Sequence, residues 1–338
     1  MKVKDIADIL DGEVDGDTKR EIKDIAPVDE VDENTIAVLR GEEDWNKIKK
    51  KAGAIVIPHN VVPDRRLSYS FIRVKNTGVA FARLVELFYP REVPQPSISP
   101  MAYLGDVKLG KNVYIGAYTW IGDAVEIGDH TVVYPFVYIA GDTKIGANTI
   151  IYPSVVIYSR VTIGANVVIH SGTIIGSPGF GYVRCEDGWL HIPQVGGVVI
   201  EDDVHIGANV TIDSGTLRPT RIGKGVKIDN LVQIAHNVKI GENTVIAAQT
   251  GIAGSSELGN WVVLGGQVGI TDHVNLGDGV MVAAQSGVTK SAPPNTKLFG
   301  YPAREYDKAR RTYAILFELP QIARKVKELE KRLKEREI

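Results

Sequence analysis

The run Val113-Tyr-Ile-Gly-Ala-Tyr-Thr-Trp-Ile-Gly-Asp-Ala-Val-Glu-Ile-Gly-Asp-His-Thr-Val-Val133 carries an aliphatic residue at every sixth place: Ile115, Ile121, Ile127 and Val133. The same period extends from Leu109 to Ile175 and resumes at Ile200, Ile206 and Ile212. After a slip at Leu217-Arg-Pro-Thr220 it runs again from Ile222 to Val288, giving 27 positions in three registers. Two residues before most of them stands Val, Thr or Ser, as at Val113, Thr119 and Val125, and Gly often follows. Two inward residues flanking one outward residue make a very short strand, and the next two or three residues, rich in Gly, Asn and Asp, can turn a corner. Three such strands close one coil of 18 residues. At a strand spacing of about 4.8 Å, the resulting nine or so coils make a prism roughly 43 Å long. A β-sandwich would instead show alternation broken every 8–12 residues or so.

Two interruptions leave the repeat as loops. The larger, Ser177 to about Gln194, carries Phe180, Tyr182 and Trp189, which either cap a neighbouring coil or line a groove between subunits. Residues 1–98 show no hexad and read as a small α/β domain with a buried strand at Ala52–Pro58 and an amphipathic helix at Val79–Phe88. The domain ends in a proline-rich linker, Pro90–Pro100. The prism domain then spans 99–302, and a charged helix fills 303–338. In that helix Ile315, Leu319, Ile322, Val326, Leu329 and Leu333 form a coiled-coil seam, with a kink expected at Pro320. Burying the stripe calls for self-association or for folding back on the prism.

Composition narrows the function. A formal net charge of −2, from 39 basic and 41 acidic residues, provides no global field for nucleic acid or an anionic membrane. The single cysteine, Cys185, excludes an internal disulfide and any multi-cysteine metal site, as suits a reducing compartment. The first residues lack the apolar run of a signal peptide and no later stretch is long enough to span a membrane, so a cytoplasmic protein is expected.

Phase separates the seven histidines. His236 falls two places after the inward Ile234, on a corner, so its ring points away from the core. Gly254 lies 18 residues on, at the same corner one coil along, where its N–H could face an oxyanion beside the imidazole. Acyl transfer needs that pairing of base and donor. His273 shares the edge about two coils away and suits substrate orientation. No two histidines are five residues apart, the spacing with which some trimeric prisms hold zinc, so no metal is expected.

The run Ile228-Asp-Asn-Leu-Val-Gln-Ile-Ala-His-Asn-Val-Lys-Ile-Gly241, with Ile212-Asp-Ser-Gly215 before it and Ile252-Ala-Gly-Ser255 after it, closely resembles the UDP-3-O-acylglucosamine N-acyltransferases of lipid A biosynthesis. Gly176-Ser-Pro-Gly-Phe-Gly-Tyr182 and Ile192-Pro-Gln194 match as well, as does the order of the three regions along essentially the whole chain. The resemblance implies a homotrimer of left-handed parallel β-helices with active sites in the clefts between subunits. It implies transfer of an (R)-3-hydroxyacyl group from acyl carrier protein to the 2-amine of a UDP-3-O-acylglucosamine. No cofactor is implied beyond the acyl-phosphopantetheine of the carrier.

By the same resemblance His236 is the general base, Gly254 N–H the oxyanion donor and His273 an auxiliary residue. Asp229 and Asn230 support the site, Asp229 reaching His236 from an adjacent chain, and Gln233, Phe180 and Tyr182 contact substrate. Uridine binding is assigned to the N-terminal domain. There Val38 stands where the family has Phe, leaving Trp45 as the stacking aromatic, and Pro178 stands where the family commonly has Asp. Lys290, Lys297, Arg304, Arg310 and Arg311 offer a basic docking surface for the acidic carrier.

Two other readings compete. An O-acyltransferase on UDP-N-acetylglucosamine shares the prism and the base but starts directly with hexads. A non-catalytic or ice-binding β-helix would need outward Thr arrays, whereas the Thr residues here are mainly inward.

Overall fold

The computed structural model describes residues 1–300 and 306–334, with the side chains of 42–43, 306–310 and 334 outside the description. The chain divides into two units, Met1–Val93 and Pro94–Ile338.

The first unit packs helices α1 (Val3–Leu10) and α2 (Thr77–Phe88) with five strands: β1 (Glu13–Gly16), β2 (Asp24–Ile25), β3 (Thr35–Val38), β4 (Ala54–Pro58) and β5 (Ser70–Val74). The sheet order is β1-β5-β4-β3-β2, parallel except for β1 against β5. Ala-Ile-Val-Ile in β4 is buried on both faces, as a central parallel strand requires. Its alternate residues serve two cores: Ala54 and Val56 join Ile6, Leu10 and Leu84, while Ile55 and Ile57 join Leu39 and Phe71. Asn76 caps α2 by accepting from Val79 N–H at 3.1 Å, so the helix starts two residues earlier than its apolar spacing suggests. Sequence reading overlooked α1, whose apolar Val3, Ile6, Ala7 and Leu10 lie at helical spacing among charges.

The second unit is a parallel β-solenoid with three sheets of eleven, ten and nine strands. Its first strand is Ser97–Ile98, paired with Tyr114–Ile115, so the solenoid begins inside the stretch expected as linker. Strands 18 residues apart stack in register, as Trp120 on Tyr138 and Ile121 on Ile139. Every hexad residue from Ile115 to Val288 is buried in one continuous core, with Leu109 partly covered at its end. Most buried Thr hydroxyls are satisfied by donating to the next coil, as Thr131 Oγ1 does to Gly146 O at 3.0 Å and Thr250 Oγ1 to Gly265 O at 3.1 Å. A buried hydroxyl without such a partner would cost about 1–3 kcal/mol.

Most corners follow one rule. The third corner residue is left-handed, with φ from 54° at Asn209 to 75° at Gly172, and its N–H donates to the second residue of the preceding coil, as Ser255 N–H does to His236 O at 3.0 Å; Asn237 departs from it by donating to Thr220 Oγ1. Among residues with a side chain, Asn and Asp tolerate that conformation best, which fits the nine of them at these corners. The first corner residue donates to the next coil, as Ala235 N–H does to Ile252 O at 3.0 Å. The second residue's N–H is left for something else.

Outward residues differ by face. One face is ionic, with the ladder Lys108–Glu126–Lys144 at 3.3 and 3.8 Å and the pair Lys239–Glu257 at 2.6 Å. A second carries Val245, Val263 and Met281 outward, all exposed. The third, which leads into the His236 corner, carries the stacked rings of Tyr103, Trp120 and Tyr138 at one end and Gly251, Gly269 and Gly287 at the other.

The large loop is a β-hairpin, Tyr182–Cys185 against Gly188–His191. Its aromatics do not cap a coil of their own chain: Phe180 is 86% and Trp189 71% exposed. At the far end helix α3 (Tyr306–Lys334) runs continuously through Pro320, and its seam residues Ile315 to Leu333 are exposed. No helix among the described residues is long and apolar enough to cross a membrane.

Candidate active site

His236 and Gly254 meet as their spacing requires. The register of Gln233 on Gly251 and Ile234 on Ile252 stacks the two corners. A Cβ built on Gly254 would fall 2.6 Å from His236 Cε1 and 2.7 Å from Nε2. The imidazole therefore lies against the Gly254 backbone, and only glycine leaves it room. Gly179 of the large loop also lies against this side chain: a Cβ there would fall 2.6 Å from His236 Cβ. Gly254 N–H, the second-place donor that the corner ladder leaves over, finds no acceptor among the described residues. At other corners a carboxylate takes that donor, as Asp129 takes Lys111 N–H at 2.7 Å.

The tautomer of His236 follows from its neighbour. Asn237 Oδ1 accepts from Thr216 N–H at 3.1 Å, and a backbone N–H can only donate, so the oxygen of that amide faces inward. His236 Nδ1 lies 3.1 Å from the same oxygen and so must carry the proton. That leaves Nε2 as the basic nitrogen. Asn237 is itself fixed by its N–H to Thr220 Oγ1 at 2.9 Å. Thr216 Oγ1 lies 2.8 Å from Asn237 Oδ1 and 2.7 Å from Gln194 Oε1.

A third group completes the surroundings. Asp213, buried, accepts from Ser177 Oγ at 2.9 Å and from Gln233 Nε2 at 3.0 Å. Burial pushes its carboxyl above the usual carboxylate range, against the pull of Ser177, the charge of His236, and Gln233. Gly179, Asp213 and Asn237 escaped sequence reasoning. The signal for Asp213 was an acid at the first corner place after Ile212, where Gly or Ala usually stands. Nothing in the sequence pointed to Gly179, because the loop's return onto His236 is a tertiary contact.

The other expected residues are dispersed. His273 follows on the same edge, its N–H on Gly254 O at 3.2 Å and its side chain exposed. Asp229 and Asn230 belong to a different corner, where Asp229 Oδ1 accepts from Asn230 N–H and Asn230 Oδ1 from Ala208 N–H, each at 2.7 Å. Within one chain they do not join His236. Phe180 and Tyr182 pack on each other at 5.1 Å and with Trp189 line a cavity of about 410 Å³. Trp45 is partly buried, edge-on to Phe71 at 6.1 Å, and takes no part in the 640 Å³ cleft of the first unit, which Val38, Arg40, Lys47 and Phe81 help to line. Lys290, Lys297 and Arg311 are exposed. Arg304, and the side chain of Arg310, lie outside the described residues. Among the described residues no cluster of three metal-ligating side chains occurs.

From Gln233 and Ala235 a cleft of about 660 Å³ extends over the bare glycine face to Val288 and Thr289. At Gly251, Gly269 and Gly287 an added Cβ would meet nothing within 4 Å. The chain's own packing does not require glycine there.

Models of the "Bacterial transferase hexapeptide (six repeats)" match residues 106–141, 124–159, 142–177 and 219–254, and one of the "Hexapeptide repeat of succinyl-transferase" matches 197–232. A UDP-3-O-acylglucosamine N-acyltransferase of Methylacidiphilum infernorum is 46% identical over 333 residues, 98% of this chain and 94% of that one. The chain belongs to the UDP-3-O-acylglucosamine N-acyltransferase family. Membership makes it an acyltransferase. Family members from Cytophaga hutchinsonii and Christiangramia forsetii are 44% and 42% identical, over 75% of this chain and 74% and 75% of their own. Among solved structures, the UDP-N-acetylglucosamine acyltransferase of Arabidopsis matches with a TM-score of 0.54 at 21% identity, over 60% of this chain and 71% of that one, a likeness of fold alone.

Proposed function

We propose that this acyltransferase moves an (R)-3-hydroxyacyl group from acyl carrier protein to the 2-amine of UDP-3-O-(3-hydroxyacyl)-glucosamine, giving UDP-2,3-diacylglucosamine for lipid A in the cytoplasm. The observation that carries the reading is the fixed tautomer of His236 beside an unused backbone donor. His236 Nε2 takes a proton from the amine as its nitrogen attacks the thioester carbonyl. The carbon–nitrogen bond forms and the oxyanion is held by Gly254 N–H. Collapse breaks the carbon–sulfur bond, and the leaving thiolate recovers the proton from His236.

Two apolar or bare faces beside one ionic face support a homotrimer, in which the cleft over Gly251, Gly269 and Gly287 is covered by a neighbouring chain and an acyl chain. Asp229 would then act across that interface. The cleft of the first unit, where Phe81 and Arg40 stand beside the ion pair of Lys47 with Asp44, offers an aromatic ring and a guanidinium to a uridine diphosphate. It suits that ligand better than Trp45, whose ring is partly covered. Lys290, Lys297 and Arg311 provide positive charge for the carrier protein, an attraction that weakens with salt.

The test offers purified protein a 3-hydroxyacyl carrier protein and a UDP-3-O-acylglucosamine and follows the amide product by mass spectrometry. His236→Ala is expected to lose about 10²- to 10⁴-fold in kcat. Absence of product with wild type, or full activity in His236→Ala, overturns the reading.

A further inference from the structure

Asp213 is only 7% exposed, yet it holds a carboxylate between two neutral donors, Ser177 Oγ and Gln233 Nε2. An asparagine of the same shape would serve both contacts, since the Gln233 amide can turn to accept, without taking a charge out of water. The packing alone therefore gives no reason for the acid. Ser177 and Gln233 do not titrate; the register of Ile212 on Ile234 sets Asp213 one coil from Ala235, beside His236, whose charge acts on the carboxyl. Ser177 also begins the stretch that brings Gly179 onto the imidazole.

We propose that Asp213 is a positioning residue for acyl transfer, a buried countercharge for the imidazolium that forms when His236 accepts the amine proton. The inference rests on the proposed function for its reaction. Asp213 exchanges no proton with the substrate. Its negative charge favours the protonated ring beside the oxyanion, in surroundings where solvent screens little.

Asp213→Asn tests this. At neutral pH kcat is expected to fall about tenfold to a hundredfold, less than for loss of a donor to the reacting atoms, with KM within about threefold. Acidification protonates the wild-type carboxyl early, so the ratio of wild-type to variant rate should shrink as pH falls. Stability moves the other way. The folded-state carboxyl titrates above its unfolded value, so the native state binds more protons between the two, and the stability present at low pH is lost as pH rises through the folded value. The variant should therefore melt higher than wild type at neutral pH, with the gain vanishing in acid. A wild-type rate in Asp213→Asn, or a ratio constant with pH, overturns the proposal. So does a lower melting temperature at neutral pH, whatever the activity. A wild-type enzyme that makes no amide overturns the reaction, while the melting comparison still tests the buried charge.

Discussion

The two ends of one solenoid face have the same inside and opposite outsides. Beneath both run isoleucines and leucines in a single core. Above the first coils lie Tyr103, Trp120 and Tyr138, stacked at 5.5 and 4.8 Å with planes 10° apart. Above the last coils lie Gly251, Gly269 and Gly287 with open space over them. The fold needs the inward positions and is indifferent to the outward ones. At the aromatic end those outward places add stacking to the chain's own stability, and at the glycine end they leave room for something that is not this chain. His236 sits where the open end begins.

Substitutions can break this contrast at either end. The largest effect among them is expected from Gly254→Ala, whose methyl would collide with the imidazole. Misplacing the base by about 1 Å should lower kcat on the order of 10²-fold, while the melting temperature falls only a little because the side chain that must yield is partly exposed. If kcat survives, the ring does not work from its observed place. Next comes Gly269→Leu, which meets nothing in its own chain. Activity should fall by roughly tenfold or more, and melting should drop only as far as the leucine pushes a neighbouring chain away, since its own chain gives it open space. Unaltered activity would show that the glycine stripe keeps no space for acyl chain or neighbour. The smallest is Trp120→Ala at the aromatic end. Losing two stacked pairs should cost about 1–3 kcal/mol in thermal or denaturant unfolding, with kcat per folded molecule unchanged. A fall in kcat there would extend the functional surface to the first coils.

Much of this is legible in the order of residues alone. The period of six specifies the solenoid, its core residues and the outward phase of His236, because an inward place tolerates only a narrow set of side chains and so writes itself into the sequence. The interval of 18 brings Gly254 to His236 for the same reason. The family resemblance supplies the reaction. The hairpin and the start of the solenoid at Ser97 are less legible: the hairpin is read in aromatic loop residues with no repeat, and Ser97 lies among prolines.

What the sequence by itself determined is therefore whatever repeats: the solenoid, its core and the register of its corners. What only the tertiary structure decided is whatever meets once. Asn237 setting the tautomer, Gly179 closing on the ring, Asp213 buried between Ser177 and Gln233, and Trp45 turned against Phe71 each depend on one irregular segment folding onto another. A contact made a single time leaves no period, and its energy is set by a geometry that exists only after the chain has closed.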